Sequence, residues 1–271
     1  MKILHLPFDP IFRQGFTLVE MAVVLVIIGV MIGGLLMPLS AQMEQKNLNE
    51  TRMTLDDVKE ALQGYAMANG RYPCPAATPA SGVVAVEAFD SAAGNVMNGK
   101  CAGFFNGYVP GATLGVTPAN SSGYILDGWN APIRYAISDL SDDANATYIF
   151  TKSTGMKAAN STTCVPNCGM AWIASQTLLS VCSTSEGITT AICGTATQLT
   201  NRAVIVVYST GRNAATGGTG ADEAANLNGD AVFVSHEPSA IGAASGEFDD
   251  VATWLSTNSI FGRLVQANQL P

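Results

Sequence analysis

Between Met21 and Met43 the chain carries no charged side chain. The run reads MAVVLVIIGVMIGGLLMPLSAQM, 23 residues. At about 1.5 Å per residue a helix of this length crosses a hydrocarbon core of about 30 Å. Buried helices of globular domains seldom stay uncharged for more than about 14 residues. The run therefore reads as a membrane span, and it accounts for much of a mean hydropathy of +0.24. Nothing else in the chain compares with it.

The flanks define the kind of span. Lys2 and Arg13 against Asp9 make the preceding segment weakly positive, which places it on the cytoplasmic side. A secretory signal peptide would have a shorter apolar core and a small-residue cleavage site. Ser40-Ala41-Gln42 is a poor version of that site. An ordinary signal anchor stays open, but Glu20 does not suit one. A carboxylate at membrane depth costs on the order of 2.5–3.5 kcal/mol and marks a functional position. No Lys or Arg lies between Glu20 and Lys46, so a cationic partner must come from elsewhere, such as a free α-amino group.

Arg13-Gln14-Gly15-Phe16-Thr17-Leu18-Val19-Glu20, followed by the uncharged run, resembles the processing site of type IV pilins and type II secretion pseudopilins. The resemblance implies cleavage between Gly15 and Phe16 by a prepilin peptidase and N-methylation of Phe16. It implies that Glu20 pairs with the Phe16 amine of a neighbouring subunit when helices pack into a filament. The implied partners are the prepilin peptidase, other pilin or pseudopilin subunits, an inner-membrane assembly platform, and membrane lipid before assembly. The implied fold is α+β and pilin-like: a long N-terminal helix, its first half transmembrane, packed on an antiparallel sheet with long loops. The expected divisions are a leader (1–15), a transmembrane and filament-core helix (16–43), the periplasmic half of the helix (44–71), and a disulfide-stapled head (72–271).

The residues support the helix beyond the membrane. Leu48, Leu55 and Leu62 repeat at seven, as do Thr51, Val58 and Tyr65, giving one stripe at helical spacing in a polar segment. Gly70, then Pro73 and Pro75, are stop signals. Gly33-Gly34 and Pro38 are expected to bend or loosen the helix. From Tyr72 the composition turns to Gly, Ala, Ser, Thr and Asn. Ile133–Ile137, Tyr148–Thr151, Ala203–Tyr208 and Ala231–Val234 read as strands. Asn258 or Ser256 can cap a short last helix carrying Ile260, Phe261, Leu264 and Val265.

Two further stretches of the head resemble the same family. Asp127-Gly128-Trp129-Asn130-Ala131-Pro132-Ile133-Arg134-Tyr135 is similar to the D-x-W-G-x-P-x-x-Y stretch of major pseudopilins, with Asn130 where that pattern has Gly. Tyr208-Ser209-Thr210-Gly211-Arg212-Asn213, with Gly217-Gly218 and Asp230-Ala231, is similar to their C-terminal calcium-binding loop. The expected ligands are Asp222, Asn226, Asn228 and Asp230, hard oxygens that suit calcium. A solvated loop held by Asx turns is the alternative.

Cys74, Cys101, Cys164, Cys168, Cys182 and Cys193 all follow the span, on the side where disulfides persist. Six cysteines allow 15 connectivities. Pairing of sequence neighbours is expected: Cys74–Cys101, Cys164–Cys168 and Cys182–Cys193. A zinc site from the last four is the alternative, with spacing too wide for two close pairs.

Enzyme signatures are weak. After cleavage the single histidine is His236, no G-x-S-x-G elbow is present, and the Gly211–Gly218 loop lacks a phosphate-loop Lys. Asp142-Asp143 and Asp249-Asp250 read as surface acids. From Tyr72 onward there are 7 Lys+Arg and 14 Asp+Glu, which disfavours nucleic acid as a partner. Cleavage would take the formal charge from −8 to −9 by removing Lys2, Arg13 and Asp9. The expected function is a structural, minor subunit of a type II secretion pseudopilus or type IV pilus, not an enzyme. It would sit in a bacterial inner membrane with the head in the periplasm, then in the filament. A minor type IV pilin with an adhesive or initiating head is the alternative. A membrane-anchored periplasmic enzyme or binding module is the alternative of another class.

Overall fold

Thr17 starts the first helix. Its amide and its Oγ1 each donate to the Glu20 carboxylate at 2.8 Å, and the Glu20 amide returns a bond to Thr17 Oγ1 at 3.3 Å. This is a capping box, written in the sequence as Thr-x-x-Glu. Helix α1 (Leu18–Asn69) then runs for 52 residues and continues through Gly33, Gly34 and Pro38. The computed structural model describes residues 15–92, 94–117, 119–142, 147–159, 169–218, 220–240, 242–243 and 246–268, with the backbone alone at 33–40 and 142. Most of the expected leader and the Cys164/Cys168 pair lie outside these residues. The chain divides into two units, Met1–Lys46 and Asn47–Pro271.

In the first unit the apolar side chains of α1 are uncovered: Leu25, Val26, Val30 and Met31 are all exposed. Among the described residues no helix is long and apolar enough to cross a membrane. The expected span, 16–43, includes residues 33–40, whose side chains are outside the described set.

The second unit begins with the rest of α1. Leu48, Thr51, Leu55, Val58 and Leu62 of the expected stripe are buried; its last member, Tyr65, is half-buried, and Ala66 beside it is buried instead. Gly70 ends the helix at φ +65°, its amide bonded to Ala66 O at 2.8 Å. The chain then forms α2 (Asn95–Asn98), β1 (Gly107–Tyr108), α3 (Gly111–Leu114), β2 (Arg134–Ile137), β3 (Ser141–Asp142), β4 (Thr147–Tyr148), α4 (Gly155–Ala159) and α5 (Met170–Ser175). After these come β5 (Leu179–Cys182), β6 (Gln198–Ser209), α6 (Ala221–Leu227), β7 (Val232–Val234), β8 (Val251–Ser256) and α7 (Thr257–Gln266).

Strand β6 organises the sheet. Both β2 and β8 pair antiparallel with Ile205–Tyr208, so they flank β6 on opposite edges. The first half of β6 pairs with β5. Side chains alternate between two cores. Ile205 and Val207 join Tyr135 and Ile137 of β2, Leu55, Val58 and Leu62 of α1, and Ile260, Phe261 and Leu264 of α7. Val206 and Tyr208 face Ala136, Val181 and Phe233 instead. A strand covered on both faces needs apolar residues at every position, which is why Ala203–Tyr208 reads as an unbroken apolar run.

Several expectations need correction. The sheet is mixed, not antiparallel, because β7 runs parallel to β5. The chain reverses at β6 and again through α6, which restores the direction of β5. Strand β4 stops at Tyr148, so Tyr148–Thr151 is not a strand. Ile149 and Phe150 are buried in a turn, where Phe150 O accepts from the Tyr72 amide. Val265 is exposed, while its neighbours Ile260, Phe261 and Leu264 are buried. Ser256 holds the N-cap position of α7 but makes no side-chain cap bond. Disulfides join Cys74 to Cys101 and Cys182 to Cys193. The second removes two thiolates from the zinc alternative.

Candidate functional site

The head contains a buried group of three carboxylates. Glu223, near the start of α6, meets Asp249 and Asp250, which lead into β8. Each offers a carboxylate oxygen, and these lie within 4.8 Å of one another. All three residues are buried. Adjacent acids at a strand entry read as surface residues; here α6 and the Gly211–Gly218 loop cover them. Gly211 approaches so closely that a Cβ there would lie 1.9 Å from Asp249 Oδ1, and one on Gly218 would lie 2.2 Å from Glu223 Oε2. Only glycine fits either place.

The electrostatics are those of desolvated carboxylates that repel one another. Burial raises the Asp250 carboxyl to about 7, with help from Glu223 and Asp249, although the Asn226 amide opposes the shift. Burial and then the charges of Glu223 and Glu247 raise Asp249 to about 6; the charge of Arg212 and the backbone N–H of Asn213 oppose the shift. Among the described residues neither Asp249 oxygen has a donor in hydrogen-bond geometry, and Asn213 Oδ1 is also buried without a partner. Asn213 Nδ2 donates to Glu223 Oε1 at 2.9 Å, which holds its amide oxygen beside the group. Carboxylates plus an amide oxygen, with no nitrogen or sulfur ligand, are the donor set of a hard cation such as calcium.

The four ligands expected from sequence have other bonds. Asp222 accepts from the Ser185 amide at 2.6 Å and faces His236 Nε2 at 3.0 Å. Asn226 bonds both backbone groups of Val234 and donates to Asp250 Oδ2 at 2.7 Å. Asn228 and Asp230 bond each other in an Asx turn that leads into β7. His236 lies with Nδ1 2.7 Å from Glu237 O, and its ring stacks on Phe248 at 3.9 Å. With both nitrogens engaged, the ring offers neither to a serine.

The other candidate site is the start of α1. Gly15, Phe16 and Leu18 are exposed, so the expected cleavage position is accessible. Glu20 is exposed too, its charge met by Thr17 rather than by a cation. Residues 12–36 match the prokaryotic N-terminal methylation motif. The chain carries a prepilin-type signal. Neither the curated proteins nor the solved structures compared with it give a match.

Downstream of the prepilin-type signal, the Asp127–Asn130 turn rests on α1. Asp127 Oδ1 accepts from the Trp129 and Ala131 amides at 2.9 and 2.8 Å, and the Gly128 amide donates to Thr51 Oγ1 at 3.0 Å. A Cβ on Gly128 would lie 2.4 Å from Asn47 O. Asn130 has φ +65°, a left-handed conformation. Asparagine tolerates it better than most non-glycine residues, which explains how Asn130 replaces the Gly of the resembling pattern.

Proposed function

We propose that this chain is a structural, minor subunit of a type II secretion pseudopilus or type IV pilus. Prepilin peptidase cuts between Gly15 and Phe16, and Phe16 is methylated. Residues 16–43 hold the protein in the inner membrane, with the head in the periplasm, until the helix enters the filament. The observation that carries this reading is the methylation motif over residues 12–36, in register with Glu20 and the uncharged run. The Asp127–Asn130 turn, and a head large for a repeating subunit, favour a minor pseudopilin over a surface pilin. The head binds calcium through Glu223, Asp249 and Asp250.

Mass spectrometry of the mature protein tests the first part. The expected N-terminus is methylated Phe16; an unmethylated terminus elsewhere overturns the assignment. Glu20→Ala should leave a processed, membrane-bound protein that enters filaments poorly, because a buried charge pair that loses one member typically costs about 3–5 kcal/mol. Normal incorporation removes Glu20 from the assembly step. Isothermal titration of the full-length protein with calcium tests the second part.

A further inference from the structure

An ion bound by three buried carboxylates needs a way in. The Gly211–Gly218 loop blocks one side, since at Gly211 and Gly218 it has no room for even a methyl group against Asp249 and Glu223. On another side Asn226 is fixed by three hydrogen bonds, two to Val234 and one to Asp250. One face differs. A cavity of about 410 Å³ is bounded by Asp250 of the cluster and is lined by Ser183, Ser235, Glu237 and, from α1, Arg52. A water occupies about 30 Å³ of liquid. The cavity therefore has room for an ion that keeps its first shell of waters.

We propose that this cavity is the path by which a divalent cation reaches and leaves the Glu223–Asp249–Asp250 cluster, with Arg52 and Glu237 setting the rate through opposite charges. The inference rests on the calcium reading above and adds its kinetics. The hydroxyls of Ser183 and Ser235 make no hydrogen bond among the described residues, so they can stand in for waters that the ion sheds. Arg52 and Glu237 are both exposed, and neither has an ion-pair partner among the described residues. Arg52 repels an arriving cation and Glu237 attracts it. Such effects act on association and fade as salt screens them.

The test uses full-length protein in non-ionic detergent. Calcium binding and chelator-induced release are followed by stopped flow, and affinity by titration calorimetry. Ser235→Trp fills the cavity and should slow both association and release by about tenfold, with Kd changed by less than about threefold. Arg52→Glu should speed association severalfold at low salt and Glu237→Arg should slow it, both effects shrinking at high salt. Unchanged rates in all three variants, in protein that binds calcium, overturn the route. If Ser235→Trp does not fold, the two charge variants decide alone. Wild-type protein that binds no calcium overturns the site itself, a different result.

Discussion

The carboxylate cluster makes the folded protein sensitive to pH in an unusual direction. Asp250 rises from an ordinary aspartate value of 3.8 to about 7 in the folded chain. A group with a raised folded pKa binds more protons folded than unfolded between those two values, so stability falls as pH rises through the window. The penalty is absent below about pH 4 and complete above about pH 7. At about 1.4 kcal/mol per unit, Asp250 alone costs on the order of 4 kcal/mol when ionised. Asp249, raised to about 6, adds to this, but the two share the same repulsion and their costs do not sum. Thermal unfolding of the full-length protein in chelator should give a higher Tm at pH 5 than at pH 8. Calcium should reverse the trend, because it binds the ionised carboxylates. Asp250→Asn removes one of the three charges and keeps an oxygen for the Asn226 amide. That variant should be more stable than wild type in chelator at pH 8 and should lose calcium binding. Stability in chelator that is flat or rising from pH 5 to 8 would refute the reasoning.

Other perturbations test the scaffold. Leu62 is fully buried between α1 and the sheet, so Leu62→Ala should cost about 2–5 kcal/mol in denaturant unfolding. At Asn130, substitution by Gly should change stability by less than about 1 kcal/mol, whereas Val at φ +65° should destabilise clearly more in the same assay. Replacing Cys182 and Cys193 by Ala together opens a loop with a sequence separation of 11 residues. The entropic cost is about 3 kcal/mol. Because the Ser185 amide in that loop donates to Asp222, which in turn faces His236 Nε2, the change should also be measurable as faster amide exchange around Ser235–His236.

Local chemistry was legible in the sequence wherever it also decided the structure. The seven-residue spacing of Leu48, Leu55 and Leu62 predicts which face of α1 is covered, because a helix shows its period. Ala203–Tyr208 declares a strand, and Gly70 marks the helix end. The cluster was not legible. Asp249 and Asp250 are adjacent in a polar stretch, and what buries them is Glu223, on a helix that no periodicity announces, with two glycines from a third segment. The same holds for β7. Its three residues read as a strand, but its direction depends on how the chain returns through α6. Strands β5 and β8 were missed because Leu179–Cys182 is short and Val251–Ser256 mixes polar with apolar residues.

Helices α1 and α7 meet in one core, although almost the whole head lies between them in sequence. Strand β6 likewise waits for β8 to cover its second edge. Under the topology proposed above, in which the head follows the first helix across a membrane, the head cannot close until residues near 264 have crossed. Until then the stripe from Thr51 to Ala66 and one edge of β6 stay open to other chains. Closure then depends on contacts distant in sequence, which form slowly. During that interval the head is vulnerable to proteases and to mispairing, and the two disulfides can hold local loops before the core exists to hold them.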